Sequence, residues 1–596
     1  MCGIVGYAGA RRAQPILIDC LKRLEYRGYD SAGVAVVGRE LQLFKSEGEI
    51  AVLERKMPVM EGNLGIAHTR WATQGKPTTE NAHPFADCSN KLAIVHNGII
   101  SNFMDLRDAL KADGHVFSSE TDTEVFAHLV ESEFKGDLLD AVRKAVAKVE
   151  GTYAFAAVAQ DGEEIVATRR ESPLVIGLGL NENFVASDVT ALLKHTNRML
   201  YVEDGEVIRV TKDSVRIIDA SGKDVQRAPQ KIMWNLEDAE KGGYPHFMLK
   251  EIYEQPSAIH DSLLGRVESL DAEPFFSGSL FPSVKIVACG TSYHAGLVGK
   301  YIIEELAKIP TTVQISSEYR YSSVSRENPL MVLVTQSGET LDTMAAAREA
   351  RKRGNRTVAI ANVMGSAITR EVDHVIYTRA GPEIGVAATK TFVTQLIALY
   401  ILAIDLGTQN KTLSALAKRS VIGQLRSLPR AVQDVLNKAP EIEALAKKYH
   451  GAKDMFFIGR NINYPVALEG ALKTKEISYI HGEGYPAGEL KHGPLALISK
   501  DSPVVAIAVK DHTYDKMLGN ISEVSARGSP VIAIGYEGDT ELAKFADDVI
   551  YIREIPPLFS PVPVIVALQL FSYYLARERG CPIDKPRNIA KTVTVD

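Results

Sequence analysis

The sequence predicts an α+β layered domain followed by two tandem copies of an α/β parallel-sheet domain. Three observations predict this. Short, glycine-punctuated apolar runs fill the first third; from about Val284 apolar runs alternate with helical stretches; and that alternating block recurs 169 to 174 residues later.

"CGIVGYAG", "SAGVAVVG", "LAIVHNG", "TYAFAAVAQDGEEIVATRR" and "PLVIGLG" are short and bounded by glycine, the pattern of antiparallel strands. "FMDLRDALKADG" interrupts them as a helix, which makes the domain layered α+β. Near residue 220 the chain turns polar and aperiodic through "SGKDVQRAPQKIMWNLEDAEKGGYPHF", a linker placed at 221–245.

Further on, "VKIVACG" leads into the helical "AGLVGKYIIEELAKI", and "PLMVLVTQSGET" into "LDTMAAAREARKRG". Such alternation implies parallel strands with crossover helices on both faces. "KIVACGT" pairs with "DMFFIGR", "PLMVLVT" with "PVVAIAV", "RTVAIAN" with "PVIAIGY", and "DHVIYTR" with "DDVIYIR". Four ordered matches at nearly constant offset identify a repeat. The boundaries expected are 2–220 for the first domain, 280–418 and 446–585 for the two copies, and 586–596 for a C-terminal tail. A helix-rich segment from roughly 400 to 445 joins the copies.

The chain has 596 residues, 45% of them hydrophobic and 24% charged, a globular composition. A net charge of −6 argues against a general nucleic-acid or anionic-membrane binder. Five scattered cysteines without a C-x-x-C pair suggest neither a disulfide framework nor a zinc site, so no metal is expected. The start lacks a basic and then apolar leader, and "QLIALYILAI" is too short to cross a bilayer, so it reads as a buried helix. A cytoplasmic location is expected.

Cys2 poses the chemical question. A lone cysteine beside glycine suits a small core position. With Met1 removed, the same residue carries a thiol nucleophile and a free α-amine of pKa about 8, and so holds its own base. Read singly, Asn97-Gly98 suits a hairpin turn, and Arg70 and Asp122 suit surface charges.

"MCGIVGY", "LEYRGYDSAG", "AHTRWATQG", "NAHPF", "VHNGIISN" and "SSETDTE" occur in order. Together they closely resemble the class II glutamine amidotransferases, over nearly the whole first 220 residues. The resemblance implies an N-terminal-nucleophile hydrolase sandwich in which Cys2 attacks the glutamine side-chain amide. It implies an oxyanion hole of Asn97 and the Gly98 N–H, glutamine held by Arg70 and Asp122, and a closing loop with Trp71 and Thr73. Gln74 stands where histidine is expected in the sugar-specific branch.

In the repeats, "ACGTSYHAG" and "VTQSGET" place hydroxyls where strands pass into helices, positions suited to a phosphate or to ordinary capping. Neither is a dinucleotide fingerprint. Both copies resemble sugar isomerase domains, which implies phosphosugar contacts at Thr291, Ser292, Thr335, Gln336, Ser337 and Thr340, with Val386 and Ala590 nearby. Ala388 replaces an expected serine.

Lys473 and Glu476, three apart, share a helix face, which also suits a plain surface ion pair. "HFMLKEIYEQP", "EIGVAATK", "ALKTKEISYIHGEGYPAGELKHGPLALI" and "PRNIAKTVTVD" extend the resemblance to the full length, to amidotransferases that aminate fructose-6-phosphate. That implies Glu476 as isomerase base beside Lys473, His492 as ring opener reaching a neighbouring subunit, and Lys591 as Schiff-base former. It further implies glutamine and fructose-6-phosphate as substrates, no cofactor, internal ammonia transfer with Trp71 as gate, and at least a homodimer. Two other readings share parts of this pattern: a class II amidotransferase for another phosphosugar, and a sugar-phosphate sensor with a vestigial glutaminase.

Overall fold

The computed structural model describes residues 2–71, 74–232, 240–266, 275–276, 280–322 and 328–592. The chain divides into two compact units, Met1–Ala239 with Thr592–Asp596, and Glu240–Lys591.

The first unit stacks an eight-stranded sheet on a seven-stranded one. Gly3–Gly9 lies in the first sheet between Glu182–Ala186 and Leu64–Arg70; Leu92–Ile100 pairs with Gly151–Ala159 in the second. All these pairings are antiparallel. Side chains alternate as the pleat requires. Ile4, Ile66, Val95 and Ala156 fill the space between the sheets, while Ile94 and Phe155 face the other way, under the helices Thr123–Glu133 and Leu138–Val146. The helix Ala13–Lys22 covers the outer face of the first sheet with Ile16, Leu17 and Leu21. The result is the layered α+β sandwich that the glycine-punctuated strands predicted.

Two details differ from the sequence reading. Asn97-Gly98 lies inside the strand Leu92–Ile100 and is no hairpin turn. The span expected to open the linker carries two short strands, Asp224–Val225 and Gln230–Lys231, which finish the edges of both sheets. Two-residue polar edge strands have no periodicity to detect.

The second unit holds two parallel five-stranded sheets of identical order. In the first, Val284–Ala288 is flanked by Thr311–Ile315 and Leu330–Val334, followed outward by Thr357–Ala361 and His374–Tyr377. In the second, Asp454–Gly459 is flanked by His481–Pro486 and Val504–Ile507, then Val531–Tyr536 and Asp548–Ile552. All four matched segment pairs occupy equivalent strands. The edge strands Thr311–Ile315 and His481–Pro486 escaped the sequence reading; the latter carries two glycines and a proline, which are poor strand formers.

Lys390–Gln409, Ala415–Asn437 and Ala439–Tyr449 form the helical segment between the copies. The apolar run from Gln395 belongs to a helix of 20 residues, long and apolar enough to cross a bilayer by length and composition, but almost all of its residues are buried inside the protein. Burial, and not shortness, is what makes it a core helix. It packs on Gly290–Ala307, which also touches Tyr464–Ser478 of the second copy, so one apolar core runs through both copies.

Candidate active sites

In the first unit, parity along three strands builds the site. Leu64 and Ile66 point into the sandwich, so His68 and Arg70 do too; Ala93 and Val95 point inward, and so does Asn97. Ile4 faces His68 and Gly3 faces Thr69 across the pair, and Cys2, one residue before the strand, lies near Arg70. The Trp71 N–H donates to Cys2 Sγ at 3.3 Å, and the thiol faces the Trp71 carbonyl at 3.5 Å. Tyr29 meets the Trp71 ring edge-on at 5.6 Å.

Asn97 Nδ2 donates to the Cys2 carbonyl at 3.0 Å, and Arg27 Nε reaches the same oxygen at 3.3 Å. Arg27 is itself paired with Asp188 at 3.0 Å. Asn97 Oδ1 lies 3.0 Å from His68 Nε2, which also faces the His96 carbonyl at 2.9 Å. Since that carbonyl only accepts, Nε2 carries the proton and the amide orientation is settled. Burial pushes His68 down to about 3, so it stays neutral. Gly98 has φ +127, and a Cβ there would stand 2.1 Å from the Thr152 carbonyl oxygen.

Arg70 is buried, and its guanidinium donates to the carbonyls of Gln74, Gly75 (3.3 Å) and Lys76 (3.2 Å). It thus holds the following loop as well as facing the pocket. Burial lowers its pKa, opposed by Cys2, Asp122 and Asp30 nearby. Asp122 precedes the helix Thr123–Glu133, and its Oδ2 accepts from the Ile100 N–H at 2.9 Å. Cys2, Trp71, Arg70, Asn97, Gly98 and Asp122 therefore converge; Thr73 lies outside the described residues. The sequence reading missed His68 and Arg27, although both lie inside the motifs it quoted.

In the second unit, Thr291 and Ser292 open the helix Gly290–Ala307, and Thr335–Thr340 lead into Leu341–Lys352. These turns follow neighbouring strands where the sheet order reverses, the crevice in which open α/β sheets take ligands. Ser292 Oγ accepts from Gln395 Nε2 at 3.0 Å, and Ser337 Oγ from the Glu339 N–H at 3.1 Å. Two more of the predicted phosphate contacts are likewise bonded within the fold. Thr335 is buried and closes its own loop, accepting from the Gly338 N–H at 3.2 Å beside Thr340 Oγ1. Thr291 donates to Glu469 Oε1 at 2.9 Å and accepts from Lys473 Nζ at 3.1 Å.

Glu469, Lys473 and Glu476 line one face of Tyr464–Ser478. Lys473, fully buried, lies 2.6 Å from Glu476 Oε2 and 3.4 Å from Glu469 Oε1. Glu469, equally buried, also holds His294 Nδ1 at 2.7 Å. Burial works against the Lys473 ammonium, but Glu476 and Glu469 overcome it and raise its pKa. Burial raises Glu476, against the pull of Lys473 and with the help of Glu469.

Lys591 Nζ pairs with buried Glu383 and donates to the Gly385 carbonyl at 2.8 Å, beside buried Val386 and next to half-buried Ala590. It lies close enough to lower the pKa of Glu476. Burial pushes Glu251 up to about 8, with Glu383 adding to the effect. Gln336 and Thr340 are half-buried in their loop. His492 ends a short 3-10 turn, exposed, with no hydrogen bond or ion pair among the described residues. Glu469, Glu383 and Glu251 were not singled out from the sequence; "EIGVAATK" and "HFMLKEIYEQP" contain two of them, but only the fold makes them partners of Lys591.

Fold and site define a glutamine amidotransferase domain joined to a pair of sugar isomerase domains. The family profile described as glutamine amidotransferase domain matches residues 68–194, and that described as SIS domain matches 282–405 and 448–578. Proteins of Thermus thermophilus and Methanosarcina mazei named glutamine–fructose-6-phosphate aminotransferase [isomerizing] are each 50% identical to this chain, with 100% of both chains covered. A solved structure, the C-terminal domain of glucosamine-fructose-6-phosphate aminotransferase from Francisella tularensis, is 39% identical with a TM-score of 0.55, covering 58% of this chain and 100% of its own. The chain belongs to the isomerising glutamine–fructose-6-phosphate aminotransferase family.

Proposed function

We propose that the chain moves the amide nitrogen of glutamine onto fructose-6-phosphate and isomerises the product to glucosamine-6-phosphate, leaving glutamate. The observation that carries this reading is the pairing, in one chain, of the Cys2–Asn97–Arg70–Asp122 cluster with the buried Lys473–Glu476 pair in a phosphosugar fold. Relatives half identical along their whole length are named for that activity.

In the glutaminase half, Met1 is removed and the Cys2 thiolate adds to the side-chain amide carbon of glutamine. Asn97 and the Gly98 N–H receive the oxyanion, Arg70 the α-carboxylate and Asp122 the α-ammonium, while Trp71 and Thr73 close over the substrate. Ammonia leaves, and water hydrolyses the thioester to glutamate. Each lost oxyanion donor is worth roughly 3–4 kcal/mol in comparable enzymes.

In the isomerase half, Ser292, Gln336, Ser337 and Thr340 take the phosphate at the helix N-termini. Val386 and Ala590 border the sugar. Lys591, poised by Glu383, condenses with the open-chain ketone; ammonia passed internally, with Trp71 as gate, replaces it at C2; and Glu476 carries the proton between C1 and C2 beside Lys473. His492, exposed in its own chain, opens the ring in a neighbouring subunit, which makes the enzyme at least a homodimer. The reaction runs in the cytoplasm.

The test is incubation with glutamine and fructose-6-phosphate and identification of the amino sugar formed. Cys2→Ala is expected to abolish glutamine hydrolysis and spare sugar isomerisation. Borohydride with fructose-6-phosphate should trap an adduct on Lys591, and an adduct on another lysine overturns that assignment. An active enzyme whose N-terminal peptide still carries Met1 overturns the nucleophile.

A further inference from the structure

The cysteine spacing suggested no metal site, yet the glutaminase unit assembles four metal-binding side chains from three separate segments. Cys88 lies in the turn between Phe85–Ala86 and Leu92–Ile100, held by Asp87, whose carboxylate accepts from the Lys91 and Leu92 N–H groups at 2.6 and 2.9 Å. His115 follows the helix Phe103–Ala112, where its N–H caps the Leu110 carbonyl at 3.0 Å. His128 and Glu131 share one face of Thr123–Glu133. One ligand atom from each of the four lies within 4.8 Å of every other.

We propose that Cys88, His115, His128 and Glu131 bind a zinc ion. Both histidine Nδ1 atoms stand 2.9 Å from the same oxygen, Glu131 Oε2. The Cys88 sulfur faces those two nitrogens at 3.7 and 3.5 Å. Tetrahedral zinc with thiolate, imidazole and carboxylate ligands sets their atoms roughly 3.3–3.7 Å apart, so the sulfur–nitrogen spacings already fit and the two nitrogen–oxygen contacts need only lengthen by about 0.4 Å. The thiol is turned toward both ring nitrogens and toward the Glu131 carboxylate, so all four donors belong to one cluster.

The donor set selects the ion. One thiolate, two imidazoles and one carboxylate are borderline-soft, which disfavours magnesium and calcium and suits zinc. Two anionic ligands neutralise the dication, so a partly buried site carries no net charge. Four protein ligands leave no position for substrate, the mark of a structural site. The ion ties the turn before Leu92–Ile100 to the helix that follows Asp122, and so braces the elements bearing Asn97 and Asp122 from outside the pocket. The inference does not depend on which sugar the second unit takes.

The test uses full-length protein, stripped with a chelator, reloaded with zinc and dialysed, with metal content read by plasma mass spectrometry. Wild type is expected to keep one zinc per chain, and the Cys88→Ser, His115→Ala double variant to lose it. Both substitutions fall outside the buried core, and near-ultraviolet circular dichroism checks that the variant folds. Cobalt loaded in place of zinc should give a thiolate charge-transfer band that Cys88→Ser alone removes. Zinc held equally by wild type and double variant, or by neither, overturns the proposal.

Discussion

His68 Nε2 lies 3.0 Å from Asn97 Oδ1, and this contact turns the opposite end of the Asn97 amide toward Cys2. The histidine is a positioning residue: buried, neutral and fixed in one tautomer by the His96 carbonyl. Removing it frees the amide to flip.

His68→Ala is therefore expected to lower kcat for glutamine hydrolysis about tenfold, roughly 1.4 kcal/mol, with KM for glutamine little changed. Because His68 is held neutral down to about pH 3, the pH profile above that should keep its shape. Steady-state kinetics of the variant from pH 5 to 9 check both; a shifted profile would count against the positioning role.

Gly98→Ala tests the backbone. The strand passes so close to Thr152 that the added methyl would stand 2.1 Å from its carbonyl oxygen, at a φ of +127. A loss of about 2–4 kcal/mol in unfolding free energy is expected, with glutaminase activity falling alongside. Urea denaturation measures it, and a loss under 1 kcal/mol would contradict the geometry.

Glu469→Gln keeps the shape of a buried side chain but removes one of the two carboxylates flanking Lys473. Glu469 raises the pKa of Glu476, so its neutralisation should move the acid limb of the isomerisation pH profile to lower pH. Sugar isomerisation is expected to slow about 10–100-fold while glutamine hydrolysis is untouched. A pH–rate profile with fructose-6-phosphate decides; an acid limb moving upward refutes the coupling.

Glu251 gives stability a pH dependence. Its pKa is raised from 4.5 to about 8 by burial and Glu383, so the folded state keeps a proton that the unfolded chain has lost. The stabilisation is fully present below pH 4.5 and is lost as pH rises toward 8, with a slope up to about 1.4 kcal/mol per pH unit. Glu251→Gln should flatten that slope and leave the variant more stable than wild type above pH 8. Denaturant melts at pH 5, 7 and 9 check the sign.

The repeat was legible because parallel strands buried on both faces appear as uninterrupted apolar runs, and four of them recur in order. The nucleophile region was legible because its motifs are contiguous. Arg27 and His68 sat inside those motifs unremarked, since nothing local shows that one will reach the Cys2 carbonyl and the other the Asn97 amide. Nothing local shows either that Thr291 meets Glu469 and Lys473 or that Thr335 closes its own loop; the fold alone supplies those partners.

By itself the sequence determined what strand and helix periodicity encode: the order of layers, the doubling of the α/β domain, and which chemical groups the chain carries. Only the tertiary structure decided which of those groups meet. Cys88 and His115 are joined to His128 and Glu131 by strand pairing and helix packing, and Lys591 finds Glu383 across 208 residues. Such encounters depend on how buried faces stack in space, and residue spacing along a chain holds no record of that.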